Sequence, residues 1–132
     1  MLAVVLALSG CAEAPPPTPS PTGRPLGSFL GGTFEAVTRE IPPDIFVIIQ
    51  DVSVLADADP TYTAVNYGSP EWTVLALCAD RPHLGAATSV EVAVIPHSVA
   101  SSTMIANARE GAYSESVTCG DRPYRASPES SG

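Results

Sequence analysis

Between Ala12 and Gly27 the chain reads AEAPPPTPSPTGRPLG, with prolines at 15, 16, 17, 19, 21 and 25. Each proline fixes φ and lacks a backbone donor, so neither a helix nor an interior strand can run through the block. It favours extended polyproline II, at about 3.1 Å per residue, and is expected to be a spacer rather than a proline-rich recognition ligand. The apolar residues before it are thereby cut off from everything after it. Folding is confined to roughly residues 28–125, room for one domain with one modest core. The tail Ala126 to Gly132 (ASPESSG) is small and polar and is expected to be disordered.

Ahead of the proline block, Leu2 to Leu8 is a seven-residue apolar run followed by Ser9, Gly10 and Cys11. A membrane-spanning helix needs about 20 residues, so the run matches the apolar part of an export signal instead. The tetrad Leu8-Ser9-Gly10-Cys11 resembles the lipobox of bacterial lipoproteins. That resemblance implies a signal peptide at 1–10 and attachment of diacylglycerol to the Cys11 sulfur. It also implies a tether at 11–27 holding a domain at the extracytoplasmic face of the bacterial cell membrane. Acyl chains such as palmitate gain about 0.8 kcal/mol per buried methylene, so two of them make a stable anchor. No Lys or Arg precedes the run, and translation is expected to begin further upstream. The competing reading, an ordinary buried strand or helix with Cys11 as a core thiol, is disfavoured by the prolines that follow.

With Cys11 lipidated, two cysteines remain in a compartment that permits disulfides. Cys78 with Cys119 is the available pair, and a bridge would enclose about forty residues, for roughly 3 to 4 kcal/mol in the chain-entropy model. Two unpaired buried thiols are the other state open to them.

Hydropathy patterning within 28–125 predicts a small single α+β domain. A short helix is capped by Thr33 and runs through Glu40, with Phe34, Val37 and Ile41 on one face and Pro42-Pro43 as its stop. Ile45 to Ile49 is a continuous apolar run, expected to be a strand buried on both faces. Asp51 to Pro70 reads as loop, with Thr61 to Val65 as a short edge strand. Trp72 to Cys78 is the clearest strand, with Trp72, Val74, Ala76 and Cys78 expected on one face. After a turn at 81–85, Val90, Val92 and Val94 alternate with Ser89, Glu91 and Ala93, predicting one dry and one wetter face up to Pro96. Ser101 or Ser102 can cap a second helix through Arg109 with Gly111 as its stop, and Tyr113 to Cys119 is a candidate last strand. The sum is a helix packed on a three- to four-stranded sheet, with a second helix allowed and the disulfide as a pin.

Charge excludes one function class. Six arginines, no lysine and fourteen carboxylates give a net charge of −8 with no basic cluster, so no phosphate-neutralising surface can form and nucleic acid is excluded as a partner. Catalytic signatures are lacking: there is no G-x-S-x-G, P-loop, G-x-G-x-x-G or H-E-x-x-H, and His83 and His97 each adjoin a proline in expected turns. Asp57-Ala58-Asp59, with Asp51 nearby, resembles a short acidic cation-binding motif. It lacks the remaining oxygen ligands of an EF-hand, and Asp before Pro60 is first a turn former. No catalytic residue, metal ligand or cofactor is assigned.

Tyr62, Tyr67 and Trp72 form a local aromatic group among Thr61, Thr63 and Asn66, able to stack on sugar or protein surfaces and equally able to serve as core. The helix at 33–41, the strand ending in Asp51-Val52-Ser53, the Glu71-Trp72-Thr73-Val74-Leu75 strand, the turn at Pro82 and the Ser89-Val90-Glu91-Val92 strand together resemble a PASTA domain. The resemblance covers residues 33–97 and lacks that family's Val-Pro-x-Val opening. It implies one helix on three strands and an association with peptidoglycan. The expectation is therefore a membrane-anchored, non-enzymatic lipoprotein that binds peptidoglycan or an envelope protein partner. The alternative is a small envelope hydrolase or metal-dependent enzyme using Asp51, Asp57 or Asp59.

Overall fold

The computed structural model describes residues 24–128; Cys11, the lipobox and most of the tether lie outside the described residues. Among the described residues, four strands make one mixed sheet: β1 (Phe46–Asp51), β2 (Trp72–Ala79), β3 (Ser89–Pro96) and β4 (Tyr124–Arg125), in the order β1-β3-β2-β4. β1 runs parallel to β3, while β2 is antiparallel to both β3 and β4. Two helices, α1 (Phe34–Glu40) and α2 (Ser102–Arg109), pack with it, so the class is α+β.

Local chemistry explains both helices. The Thr33 side chain accepts a hydrogen bond from the Ala36 N–H at 3.2 Å, and Ser101 does the same for Met104 at 3.0 Å. α1 and the 3₁₀ turn Leu26–Phe29 cover one face, burying Phe29, Phe34 and Val37 against Trp72, Val74, Leu77, Val90, Val92 and Val94. α2 lies on the other face, where Leu75, Ile95, Met104 and Ala108 form a second apolar cluster. Gly31 sits between β2 and α2 at φ +78°, where a Cβ would fall 2.7 Å from Arg109 Cγ, so this crossing requires glycine.

The facial assignment of β2 differs from expectation. The register with β3 shifts between Val74 and Ala76, and the extra residue, Leu75, reverses the alternation. Trp72 and Val74 therefore share a face with Leu77 and Ala79, whereas Ala76 and Cys78 lie on the opposite one. β3 has no wet face: Glu91 is fully buried, because the chain after α2 folds back over it.

That fold-back is pinned twice. Cys78 and Cys119 form a disulfide, with Cα atoms 5.8 Å apart. Next to it, Glu91, which pairs with Cys78 across the sheet, accepts from the N–H groups of Thr118 (3.0 Å) and Cys119 (2.9 Å) and from the amide of Gln50 (3.1 Å). The left-handed backbone of Cys119, φ +65°, belongs to the turn that aims both N–H groups at one carboxylate. Arg122, also buried, completes the cluster at 3.3 Å and reaches Ser89 Oγ at 2.9 Å. Burial alone would push the Glu91 carboxyl up; the hydrogen bonds from Thr118, Gln50, Cys119 and Arg122 outweigh it and hold the group below its ordinary value. Tyr113 to Cys119 is consequently a pinned irregular segment with a 3₁₀ turn at Ser114–Ser116, not a strand, and the last strand is β4.

The other differences have equally local causes. β1 is half-buried rather than dry on both faces, because it is the sheet's outer strand and Phe46 is 62% exposed. Thr61 to Val65 is not a strand: Thr63 and Asn66 form a capping box around the 3₁₀ turn Ala64–Asn66. The fold also reaches past both expected ends. Leu26 is buried with Arg24 stacked 4.1 Å over Phe29, and the buried Ala126 donates to the Leu77 carbonyl at 2.8 Å. Ser127 and Pro128 are half-buried, and the tail from 129 lies outside the described residues.

Candidate functional site

The long connection between β1 and β2 is held by one carboxylate. Asp51 Oδ1 accepts from the N–H and hydroxyl of Ser53 at 2.9 and 2.6 Å, while Oδ2 accepts from the N–H groups of Thr61 and Tyr62 at 2.7 and 2.8 Å. Burial pushes this carboxyl up, and the four hydrogen bonds bring it below the ordinary aspartate value. Asp51 is thus an organiser of the loop. Asp57 ends the 3₁₀ turn Ser53–Ala56 in the left-handed region at φ +59°, and Asp59 is exposed. Among the described residues, no group of three His, Cys, Asp or Glu side chains is placed to hold a metal ion, so the structure does not bring Asp51, Asp57 and Asp59 together as ligands.

Fixing Tyr62 beside β1 assembles the aromatic group. Tyr62 meets Trp72 edge-on at 5.4 Å and Phe34 at 6.3 Å, and Tyr67 meets Phe34 edge-on at 5.5 Å. Gly68, at φ +73° with Thr38 Oγ1 only 2.9 Å from where a Cβ would stand, permits the turn that returns the chain to β2. The three rings singled out in the sequence are therefore neighbours, but in different roles: Trp72 is only 5% exposed and belongs to the core, while Tyr67 is 46% exposed. Burial raises both tyrosine hydroxyls, with the neighbouring Tyr67 adding to the effect at Tyr62, so both stay protonated donors at neutral pH.

Two concavities flank this group. The first, about 470 Å³, is lined by Thr61, Asn66, Glu71, Trp72, His97 and Ser98. Its far wall is set by the end of β3: the His97 N–H donates to the Glu71 carbonyl at 2.7 Å, and His97 Nδ1 lies 3.2 Å from the buried Thr73 hydroxyl. The site can offer hydroxyls, an amide, a carboxylate and an imidazole around the edge of an indole. Among the described residues, Thr73 is the one hydroxyl bonded to a histidine, and at 3% exposure it cannot reach a substrate. The second concavity, about 460 Å³, is an apolar groove along β1 between Ile45, Val47 and Ile49 on one side and Tyr62, Ala64 and Tyr67 on the other. At the opposite edge of the sheet, a smaller hollow of about 340 Å³ lies between Pro25, Pro82, His83 and Tyr124.

Sequence reasoning placed Tyr62, Tyr67 and Trp72 together and set His97 in a turn, but did not bring it to Glu71; the two sit 26 residues apart and meet only because Trp72 pairs with Pro96. The dipeptides Pro96-His97 and Glu71-Trp72 at strand ends were the available signals. Compared with known proteins, the chain matches no family model, no curated protein and no solved structure.

Proposed function

We propose that this chain is a lipid-anchored surface protein of the bacterial envelope whose disulfide-pinned domain is a non-enzymatic binding module, with peptidoglycan as the favoured ligand. The carrying observation is the polar cavity beside Trp72, where Thr61, Asn66, Glu71, His97 and Ser98 surround an aromatic edge. Such a polar lining suits a glycan, whose hydroxyls need hydrogen bonds, while the buried indole contributes its edge to the cavity wall. The helix α1 and strands β1 to β3 within residues 34–96 also supply the element content of a PASTA-like unit. A net charge of −8 offers no electrostatic attraction to anionic wall polymers, so retention should vary little with salt.

The test is co-sedimentation of the oxidised, detergent-solubilised full chain with purified peptidoglycan across a salt series. Salt-insensitive retention that Asn66→Ala and His97→Ala reduce, with circular dichroism unchanged, supports the reading. No retention at any salt overturns peptidoglycan as the ligand, and catalytic turnover by the purified chain overturns the non-enzymatic assignment. The anchor is tested separately: the protein should incorporate labelled palmitate and Cys11→Ala should abolish it, and labelling that is absent or unchanged by Cys11→Ala would refute lipidation at Cys11.

A further inference from the structure

The edge of the sheet beyond β1 carries a second binding surface, distinct from the cavity beside Trp72. We propose that it docks an extended peptide segment of a partner protein, one with apolar side chains at alternate positions and basic residues at its ends.

Backbone geometry comes first. The Phe46 N–H donates to the Thr88 carbonyl at 3.2 Å and the Val52 N–H to the Val94 carbonyl at 3.0 Å, so the even-numbered residues of this parallel ladder face β3. The N–H and C=O groups of Val47 and Ile49 therefore point the other way, where among the described residues the sheet has no further strand. The outer edge of β2 is treated differently: Gly31 and Gly32 exchange backbone hydrogen bonds with Val74, and β4 and Ala126 continue the cover. β1 also lacks the usual blocking devices, with no proline, bulge or charge from Ile45 to Gln50.

Side chains then select the shape of the occupant. Ile45, Val47 and Ile49, spaced by two, line the groove opposite Tyr62 and Tyr67. A strand added to the edge would set every second side chain into that groove while pairing with Val47 and Ile49; a helix or a glycan would satisfy neither pattern. Charge selects its ends. Exposed Asp44 precedes β1, Asp51 closes it, and exposed Asp57 and Asp59 lie just beyond. A second copy is disfavoured by the same residues, since antiparallel pairing of two β1 strands about Ile48 would place Asp44 of one copy opposite Val52 of the other, one position from its Asp51, so that an acidic end meets an acidic end at both ends of the pair.

The test uses the full oxidised chain and a labelled decapeptide, Arg-Arg-Val-Thr-Val-Thr-Val-Thr-Arg-Arg, read by fluorescence anisotropy. Two N-methylated forms of the peptide block alternate sets of amides. The expected result is saturable binding weakened at least tenfold by one methylation set and little by the other, and at least tenfold by replacing the four arginines with glutamates. Val47→Pro removes an outward N–H without breaking the ladder to β3 and should weaken binding tenfold or more; Tyr67→Ala, at an exposed wall of the groove, should weaken it several-fold. Three outcomes overturn the proposal: no saturable binding, equal effects of the two methylation sets, or a dimer of the chain alone that Val47→Pro dissociates. Peptidoglycan retention is read independently, so either surface can fail without the other.

Discussion

Replacing both Cys78 and Cys119 with alanine should remove a large share of the domain's stability. The cysteines are 41 positions apart, and for a loop of that size the chain-entropy model gives about 4 kcal/mol at room temperature. Domains of this length are stable by about 5–15 kcal/mol, so the variant should fold but with a much lower urea midpoint. At a denaturant slope of about 1.5 kcal/mol per molar, the drop is about 2.7 M, and the slope itself should rise because the uncrosslinked denatured chain exposes more surface. Equilibrium urea unfolding followed by Trp72 fluorescence measures both. A loss below about 1 kcal/mol with an unchanged slope would refute the reasoning and leave the Glu91 cluster as the sole pin of residues 117–122. The same experiment in a Glu91→Gln background adds a second check. With the segment no longer crosslinked, Arg122 can swing into water when its carboxylate is lost, so Glu91→Gln should cost less there than in the bridged protein; equal costs would show that the two pins act independently.

In the bridged protein, Glu91→Gln leaves the buried Arg122 with only the exposed Asp121 carboxylate, 3.6 Å away, as counter-charge and should cost about 3 kcal/mol at neutral pH, read from the urea midpoint. The folded protein holds the Glu91 and Asp51 carboxyls below their unfolded values, so their contribution is complete above the ordinary carboxylate range and fades as pH falls through the folded values; Glu91→Gln should flatten that acid limb, and an unchanged limb would contradict it. Asp51→Asn weakens the acceptor for Thr61 and Tyr62 and should cost about 1–2 kcal/mol, with faster hydrogen exchange at those two amides before any elsewhere. Thr33→Ala, which removes the α1 cap, should cost about 1 kcal/mol by thermal or urea unfolding.

What could be read in advance was whatever neighbouring residues decide. Thr33 and Ser101 cap their helices with groups three positions away, Pro42-Pro43 ends α1 by its own chemistry, and Trp72 to Cys78 has a composition that only a strand accommodates. The cysteine pairing was legible because the lipobox resemblance set Cys11 aside and left a single pair. The face of Ala76 was not, since the bulge at Leu75 exists only relative to β3. Nor was the burial of Glu91, whose partners at 118, 119 and 122 are distant in sequence and reach it by folding back over the sheet. The apolar run at Ile45 to Ile49 resembles a central strand; only the strand order places it at the edge. The same limit hid the polar cavity, half of which comes from the end of β3.

The order of the strands also sets a path for force. The described chain enters at Arg24, and the 3₁₀ turn behind it leans on β2 and β4, at the edge opposite β1. If the protein hangs from a membrane by its leading segment, a pull from a partner docked on β1 has two routes to the tether: along the backbone through α1, and across the sheet through β3 and then β2. Those two interfaces are the longest ladders in the sheet, and β2 is the strand that carries the Cys78 crosslink. The sheet therefore shares the load with the short backbone link through α1, and both routes bypass α2, whose packing could loosen without releasing either end.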